Sequence, residues 1–232
     1  MRAGVLGIVS AALVAGGFGL HSLPAEAACS DKPSPGVDWT RCDKEKLILR
    51  DKDLTGGKFE RTDLSRSDLT GSRLDGAMLY RADIAKTRFR EASLKDADLT
   101  KAEGDRAVFA GADLSGASIM KADLSRVDFT GAMMAGANLS KAQLGRAKLS
   151  DADLTGTNLV FAYLARVDLR GADLSGADMT GAYTLLAHIE GVDFTDVQGV
   201  TQDQMNLACG DANTLLPEGL QRPENWPCGV EE

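Results

Sequence analysis

Apolar residues recur along the middle of this chain with a period of five. Steps of five from Leu49 give Leu54, Phe59, Leu64, Leu69, Leu74 and so on to Phe194. Leu, Ile, Phe or Met fills 28 of these 30 positions, and Gly104 and Thr184 are the exceptions. Two residues earlier runs a second series, Ala, Thr, Ser, Val or Gly at 28 of 30 positions, from which Leu47 and Lys52 depart. A helix cannot use this pattern, because five residues rotate it by about 140° and scatter the leucines round the cylinder. A straight strand fails as well, because an odd step sends successive leucines to opposite faces. Within one unit, the small residue and the leucine are two apart and share one side of a short extended segment. The chain must then turn a corner every five residues to keep that side inward. The result is an all-β coil stacked on itself as a solenoid.

The position two after each leucine counts the faces. Sorted by a step of twenty, it separates into four columns. One runs Asp51, Gly71, Glu91, Gly111, Gly131, Asp151, Gly171, Gly191, and the next runs Gly56, Gly76, Asp96, Gly116, Gly136, Gly156, Gly176, Asp196. The third begins Arg61, Arg81, Lys101, Lys121, Lys141 and ends Phe161, Gly181. The fourth runs Arg66, Lys86, Arg106, Arg126, Arg146, Arg166 and then Leu186. A twenty-residue coil with four faces explains this sorting. The glycine corners suit a turn with positive φ, as in type II, and the Arg/Lys corners are expected to use a different turn. The units make about 7.5 coils, a rod of about 36 Å at roughly 4.8 Å per rung. Phe89, Phe109 and Phe129 are spaced to stack inside one face, with Gly104 leaving the opposite wall thin near Phe109.

The ends have other patterns. Arg2, an apolar run from Ala3 to Leu20 and Ala25-Glu26-Ala27 describe a secretory signal peptide over 1–27, cleaved between Ala27 and Ala28. The A-x-A site argues against an uncleaved anchor, so no membrane span remains after cleavage. A lipobox before Cys29 would have Glu26 in its leucine position. Export makes disulfides expected. Four cysteines allow three pairings, and the local pairs Cys29/Cys42 and Cys209/Cys228 are preferred because a rod separates them. Zinc is the lesser alternative, since no C-x-x-C spacing occurs. Residues 28–46 are read as an N-terminal disulfide cap with Trp39 over the first coil, and 47–196 as the repeat. Residues 197–232 are read as a C-terminal cap. In it, Thr201-Gln202-Asp203-Gln204 has capping-box spacing and opens a short helix to about Ala208. An extended tail follows, pinned by Cys209–Cys228.

Units such as Ala112-Asp113-Leu114-Ser115-Gly116, Ala122-Asp123-Leu124-Ser125-Arg126 and Ala172-Asp173-Leu174-Ser175-Gly176 match the signature A-(D/N)-L-x-x. Over 47–196 the chain resembles the pentapeptide-repeat family. The resemblance implies a right-handed quadrilateral parallel β-helix, in agreement with the four columns. The cysteine-bounded ends resemble those of exported bacterial members. Some members mimic DNA, bind a topoisomerase and protect it from quinolones, which is the alternative function to weigh.

Composition narrows the chemistry. Only 12 of 232 residues are aromatic (7 Phe, 3 Tyr, 2 Trp), which argues against a layered core of large rings. The net charge of −8 (26 basic, 34 acidic) gives no general reason to bind nucleic acid or an anionic membrane. Cleavage removes Arg2 and Glu26 together, so the mature charge is also −8 (25 − 33). Aspartates before the leucines, among them Asp63, Asp83, Asp123, Asp153, Asp168 and Asp173, form outward columns on a convex rod. They read as structural and solubilising, since acid/base work needs carboxylates of separated pKa in a pocket. His188 has no nucleophile or acid at a fixed spacing. No catalytic residue, cofactor or metal is expected.

Two surfaces are candidates for binding. In the third column the first four bases have an acid two residues on, Arg61/Asp63, Arg81/Asp83, Lys101/Glu103 and Lys121/Asp123, and Lys141 is followed by Gln143. In the fourth the pairing fails at Lys86/Arg88, Arg106/Val108 and Arg146/Lys148. Arg66, Lys86, Arg88, Arg106, Arg126, Arg146, Lys148 and Arg166 therefore form a candidate anion or partner stripe, extended by Arg50, Arg90 and Arg170. Near the C-terminal coils, Val160, Phe161, Tyr163, Tyr183, Leu185 and Leu186 fall on outward positions at one corner. They form either a docking site for the tail or a partner or dimer surface. The chain reads as an exported, periplasmic or extracellular, non-enzymatic structural or protein-interaction module. Its signal peptide, cysteines and basic columns oppose the DNA-mimic alternative.

Overall fold

The computed structural model describes residues 29–228. The expected signal peptide and its cleavage site at Ala27 and Ala28 lie outside the described residues.

Each unit repeats one construction. The residue before the leucine pairs in parallel with its counterpart twenty residues on, and four such ladders run through Lys58, Asp63, Asp68 and Arg73. In one unit, Arg73 N–H donates back to Lys52 C=O (2.9 Å) and Leu74 N–H donates forward to Ser93 C=O (2.6 Å). The corner then closes through Ala77 N–H to Leu74 C=O (2.9 Å), while Gly76 between them donates to Lys95 C=O (2.8 Å). Every backbone donor of the unit is thus used except the N–H directly after the leucine. Pairing already begins at Asp38↔Lys58 and Asp43↔Asp63, so the Cys29–Cys42 segment adds strands of its own to the stack.

From Asp51 to Gly191 all corners share one backbone turn, and here the structure departs from expectation. Gly76 has φ +63°, but Arg61 (+55°), Arg66 (+60°), Lys86 (+59°), Arg126 (+58°) and Arg146 (+61°) are left-handed too. The closing bond is also the same, for example Thr62 N–H to Phe59 C=O at 3.1 Å across Arg61. A non-glycine residue there costs about 1 kcal/mol or more. The corner N–H must nonetheless reach the next coil's carbonyl, and ladder geometry prevails over residue preference.

Inside, the leucines are completely buried and the small residues two before them let the faces approach. Phe89, Phe109 and Phe129 stack with centroids 4.7 and 5.1 Å apart and planes within 8° and 19°. Gly104 lies on the neighbouring face, one unit before Phe109. A Cβ there would meet Leu124 Cδ2 at 2.7 Å and Ile84 Cγ1 at 3.0 Å, so its rung-neighbours already occupy the space. Buried hydroxyls also tie rungs together: Thr62 Oγ1 donates to Trp39 C=O (2.6 Å) and Thr87 Oγ1 to Leu64 C=O (2.8 Å).

The two ends close differently. Trp39 occupies a leucine position of the repeat, is 1% exposed and meets Phe59 edge-on at 5.8 Å. Lys44 Nζ sits over its indole at 4.3 Å, and Cys29–Cys42 holds the segment. At the other end, α1 (Gln202–Leu207) takes the place of a strand, with Thr201 and Gln204 completing a capping box. Buried Gln204 donates through Nε2 to the carbonyls of Met179 (2.8 Å) and Ala182 (3.0 Å), and its own carbonyl accepts from Thr184 Oγ1 (2.7 Å). Thr184 breaks the leucine series because it must bond to this helix. Beyond α1 the tail resumes pairing with a slipped register, His188↔Cys209 and Asp193↔Leu215. Trp226 covers Gly210 and donates to Ala208 C=O at 2.7 Å, beside the Cys209–Cys228 bridge.

The aromatic stack gives the first prediction. Phe109→Ala removes a ring packed on both sides and should lower unfolding free energy by about 3–5 kcal/mol. Exposed Phe161→Ala should change it by less than about 1 kcal/mol. Urea unfolding of the two variants checks the contrast, and equal effects would count against a continuous stacked core.

Candidate functional site

The one donor left over in each unit decides what the surface can do. In half of the units an aspartate or asparagine stands just before the leucine, and its side-chain oxygen folds over the corner to accept that N–H. Thr55 N–H donates to Asp53 Oδ1 (3.2 Å), Ser115 N–H to Asp113 Oδ1 (3.1 Å) and Ser175 N–H to Asp173 Oδ1 (2.9 Å). The hydroxyl of the same Thr or Ser often adds a second bond, as from Ser175 Oγ at 2.6 Å. This is an Asx-turn. It explains why Asp precedes the leucine and Ser or Thr follows it, a reason that the outward columns alone did not reveal. Hydrogen bonds from Ser175 to Asp173, and from Thr180 to Asp178, hold those carboxyls below their ordinary range.

Asp68 is the extreme case, only 2% exposed. Thr70 caps it, Arg50 Nη2 reaches its Oδ2 at 2.6 Å, and Arg88 Nη2 does so at 3.2 Å. Burial acts to raise its pKa. The bonds from Thr70, Arg50 and Arg88 outweigh burial and hold it well below the ordinary 3.8.

The basic stripe divides in two. Arg66 reaches Glu45 at 3.5 Å, Arg88 reaches Asp68, and Arg106 and Arg126 reach Asp105 at 3.6 and 2.9 Å. The compensating acids Glu45 and Asp105 sit one residue after the leucine position, a place that searching two residues beyond each base passes over. Among the described residues, Lys86, Arg146 and Lys148 have no acidic partner within 4 Å. Of the expected extensions, Arg50 and Arg170 are paired, Arg170 with Asp168 at 2.6 Å. In the third column, no described ion pair joins Arg61, Arg81, Lys101 or Lys121 to Asp63, Asp83, Glu103 or Asp123. Arg81 and Lys101 instead flank the Tyr80 ring at 5.3 and 5.6 Å.

The fourth corner column also contains a run of uncapped donors. At Gly145, Ala165 and Leu185 the aspartate position is filled by Gln143, Tyr163 and Tyr183. Among the described residues none of these three N–H groups has an acceptor, and no other corner column has three successive uncapped rungs. The corner is notched at Gly145 and Ala165, which carry almost no side chain; the Tyr163 ring leans over Gly145, and Ala165 itself is buried. The notch is a groove of about 390 Å³ lined by Ser125, Arg126, Gly145, Arg146, Tyr163, Ala165, Arg166 and Leu185. The arginines form one wall and Tyr163 the other. Tyr163 stacks on Tyr183 at 5.4 Å, and both remain exposed.

The rest of the apolar patch lies close by. Phe161 is 58% exposed, rests on Gly181 and lies 6.0 Å from Lys141 Nζ, while Val160, Leu185 and Leu186 are half-buried. The C-terminal cap meets the edge of the patch, where Leu186 N–H donates to Leu207 C=O, while Gln221 and Arg222 bond to Gln202 and Ala212. The described part of the tail leaves Phe161, Tyr163 and Tyr183 exposed. His188 pairs with Glu190 at 3.1 Å on the outer surface.

The family model described as pentapeptide repeats matches residues 48–84, 82–126, 120–151 and 147–183. A search of curated proteins finds no match. Among solved structures, a trypsin-treated form of QnrB1, a plasmid-mediated fluoroquinolone resistance protein, is similar at 17% identity and TM-score 0.59, covering 82% of this chain and 92% of that one. HetL, a pentapeptide repeat protein involved in heterocyst differentiation regulation from the cyanobacterium Nostoc sp. strain PCC 7120, aligns at 24% identity and TM-score 0.36, covering 86% and 94%. The QnrB1 likeness is one of fold, a right-handed quadrilateral β-helix. Proteins of this kind are generally non-enzymatic structural modules.

Asp68 supplies a pH prediction. Its native pKa is lowered, so its contribution is fully present above the unfolded carboxylate range and fades as pH falls below about 4. Asp68→Asn keeps the corner cap but loses the charge. It should cost about 1 kcal/mol at neutral pH and flatten the acid limb of the stability profile. Denaturation at pH 7 and pH 3 checks this, and parallel profiles for variant and parent would refute it.

Proposed function

Because this chain belongs to the pentapeptide-repeat family, we propose that it is an exported, non-enzymatic protein-interaction module presenting ordered charged corners on a β-helical rod. The observation that carries the reading is the corner over residues 145–185. Elsewhere the repeat leaves such donors singly or in pairs and compensates most of its stripe arginines internally. Here three successive N–H groups have no acceptor among the described residues, beside Arg146 and an exposed tyrosine stack. A surface of that kind is suited to binding rather than to solvation alone.

Export is supported by the two disulfides at opposite ends of the described residues. We assign 1–27 to a signal peptide, 28–46 to an N-terminal cap, 47–196 to the β-helix of about 7.5 coils and 197–232 to a C-terminal cap. Among the described residues no helix is long and apolar enough to cross a membrane. The DNA-mimic alternative gains nothing specific, since the QnrB1 likeness is of fold and two corner columns here are basic.

Fractionation tests the reading. The protein should appear outside the cytoplasm, begin at Ala28 and migrate as an oxidised monomer on non-reducing gels. Deleting 1–27 should retain it inside with reduced cysteines. In the exported fraction, a photo-crosslinker at Tyr163 should give a discrete adduct that one at Ser175, on a capped corner, does not. A full-length, reduced, cytoplasmic protein would overturn export. Indifferent crosslinking from both positions would overturn the binding corner.

A further inference from the structure

Three successive rungs of the fourth corner column break the capping rule at the place where the rod is notched. One rung before Gly145, the same column is capped: Ser125 N–H donates to Asp123 Oδ1 at 3.3 Å and Ser125 Oγ to the same atom at 2.9 Å. Gly145 and Ala165 repeat that backbone, since Arg146 and Arg166 hold φ +61° and +58° beside Arg126 at +58°. Their N–H groups therefore aim at the site that a carboxylate fills one rung away. Gln143 and Tyr163 do not supply it. Arg146 adds a positive charge without an acidic partner among the described residues, and Tyr163 and Leu185 add apolar walls.

We propose that this groove binds an extended acidic segment of a partner protein. One partner carboxylate sits on Gly145 N–H and Arg146, in the position that the repeat's own aspartate takes in capped corners. A backbone carbonyl of the segment accepts from Ala165 N–H, and an apolar side chain packs on Tyr163 and Leu185. The geometry favours a carboxylate over a chain of phosphates, because the neighbouring corner shows the same donors satisfied by one carboxylate. From Ser125 to Leu185 the groove crosses three rung spacings, about 14 Å, which is the length of about four extended residues. Charge-assisted bonds to backbone N–H and guanidinium are the strong ones, and exposed tyrosines are common interface anchors. The proposal rests on the interaction-module reading above and gives it a site and a partner chemistry.

The test uses the disulfide-intact protein and the acetylated, amidated peptide Asp-Leu-Asp-Leu, followed by amide NMR. Saturable shifts should centre on Gly145, Ala165 and Leu185. Arg146→Gln should weaken binding about tenfold. Gln143→Asp should do the same while keeping or raising thermal stability, because it supplies the repeat's own cap to Gly145. Asn-Leu-Asn-Leu should not bind. No saturation at millimolar peptide, equal binding of the asparagine peptide, or indifference to both substitutions would overturn the proposal. Tighter binding of a thymidine oligonucleotide to the same amides would overturn it as well. Export and crosslinking are read separately. An exported protein that crosslinks from Tyr163 but ignores the peptide loses this partner chemistry and keeps the module. A cytoplasmic one loses export whatever the titration gives.

Discussion

The stack depends on the corner residue two places after each leucine. Its φ lies between +53° and +75° at every corner from Asp51 to Gly191, whether it is glycine, arginine, lysine, aspartate, glutamate, phenylalanine or leucine. That dihedral turns the chain by about a quarter of a circle and aims the corner N–H at the next coil. Gly76 bonds Lys95 C=O and Arg81 bonds Thr100 C=O in the same way. If the corner relaxed to negative φ, its N–H would swing away from the carbonyl of the next coil. The next strand would then leave its ladder. The cost of left-handed arginines and lysines is offset because each corner adds a turn bond and an inter-coil bond to an already cooperative stack.

One consequence reaches the surface. With four donors of each unit committed to the backbone, the fifth must be met from outside the ladder. The aspartate before the leucine meets it, and the Ser or Thr after the leucine locks that aspartate. The A-D-L-[ST] spelling is therefore a hydrogen-bonding rule as well as a packing rule. Where the aspartate is replaced, the surface gains a donor. Along most of the rod such places are isolated or paired, and over 145–185 they are consecutive. The same stretch carries an unpaired arginine and stacked tyrosines, so the candidate site is a local suspension of the rule that stabilises the rest.

Much of this was legible in the sequence, because solenoid periodicity ties residue number directly to position in space. The step of twenty placed Phe89, Phe109 and Phe129 in one stack, and the Thr-x-x-Gln spacing marked the start of α1. Corner geometry was not legible. Arginine and glycine differ in intrinsic preference, and only the inter-coil bonds show that preference is overruled. The balance of the basic stripe was misjudged in part because Glu45 and Asp105 approach from the corner rather than the strand. The tail's path was hidden too. Its register slips after α1, and a period of five cannot reveal that Phe161, Tyr163 and Tyr183 stay open.

Native-state amide hydrogen exchange tests the central claim most directly. The account predicts protection with a period of five along the repeat, four slow amides and one faster one per unit. The faster amide, the one after the leucine, should be slowed wherever an aspartate caps it, as at Ser115 and Ser175. It should be fast where no carboxylate caps it, as at Gly145, Ala165 and Leu185. Uniform protection along the rod, or equal exchange at Ser175 and Ala165, would contradict it.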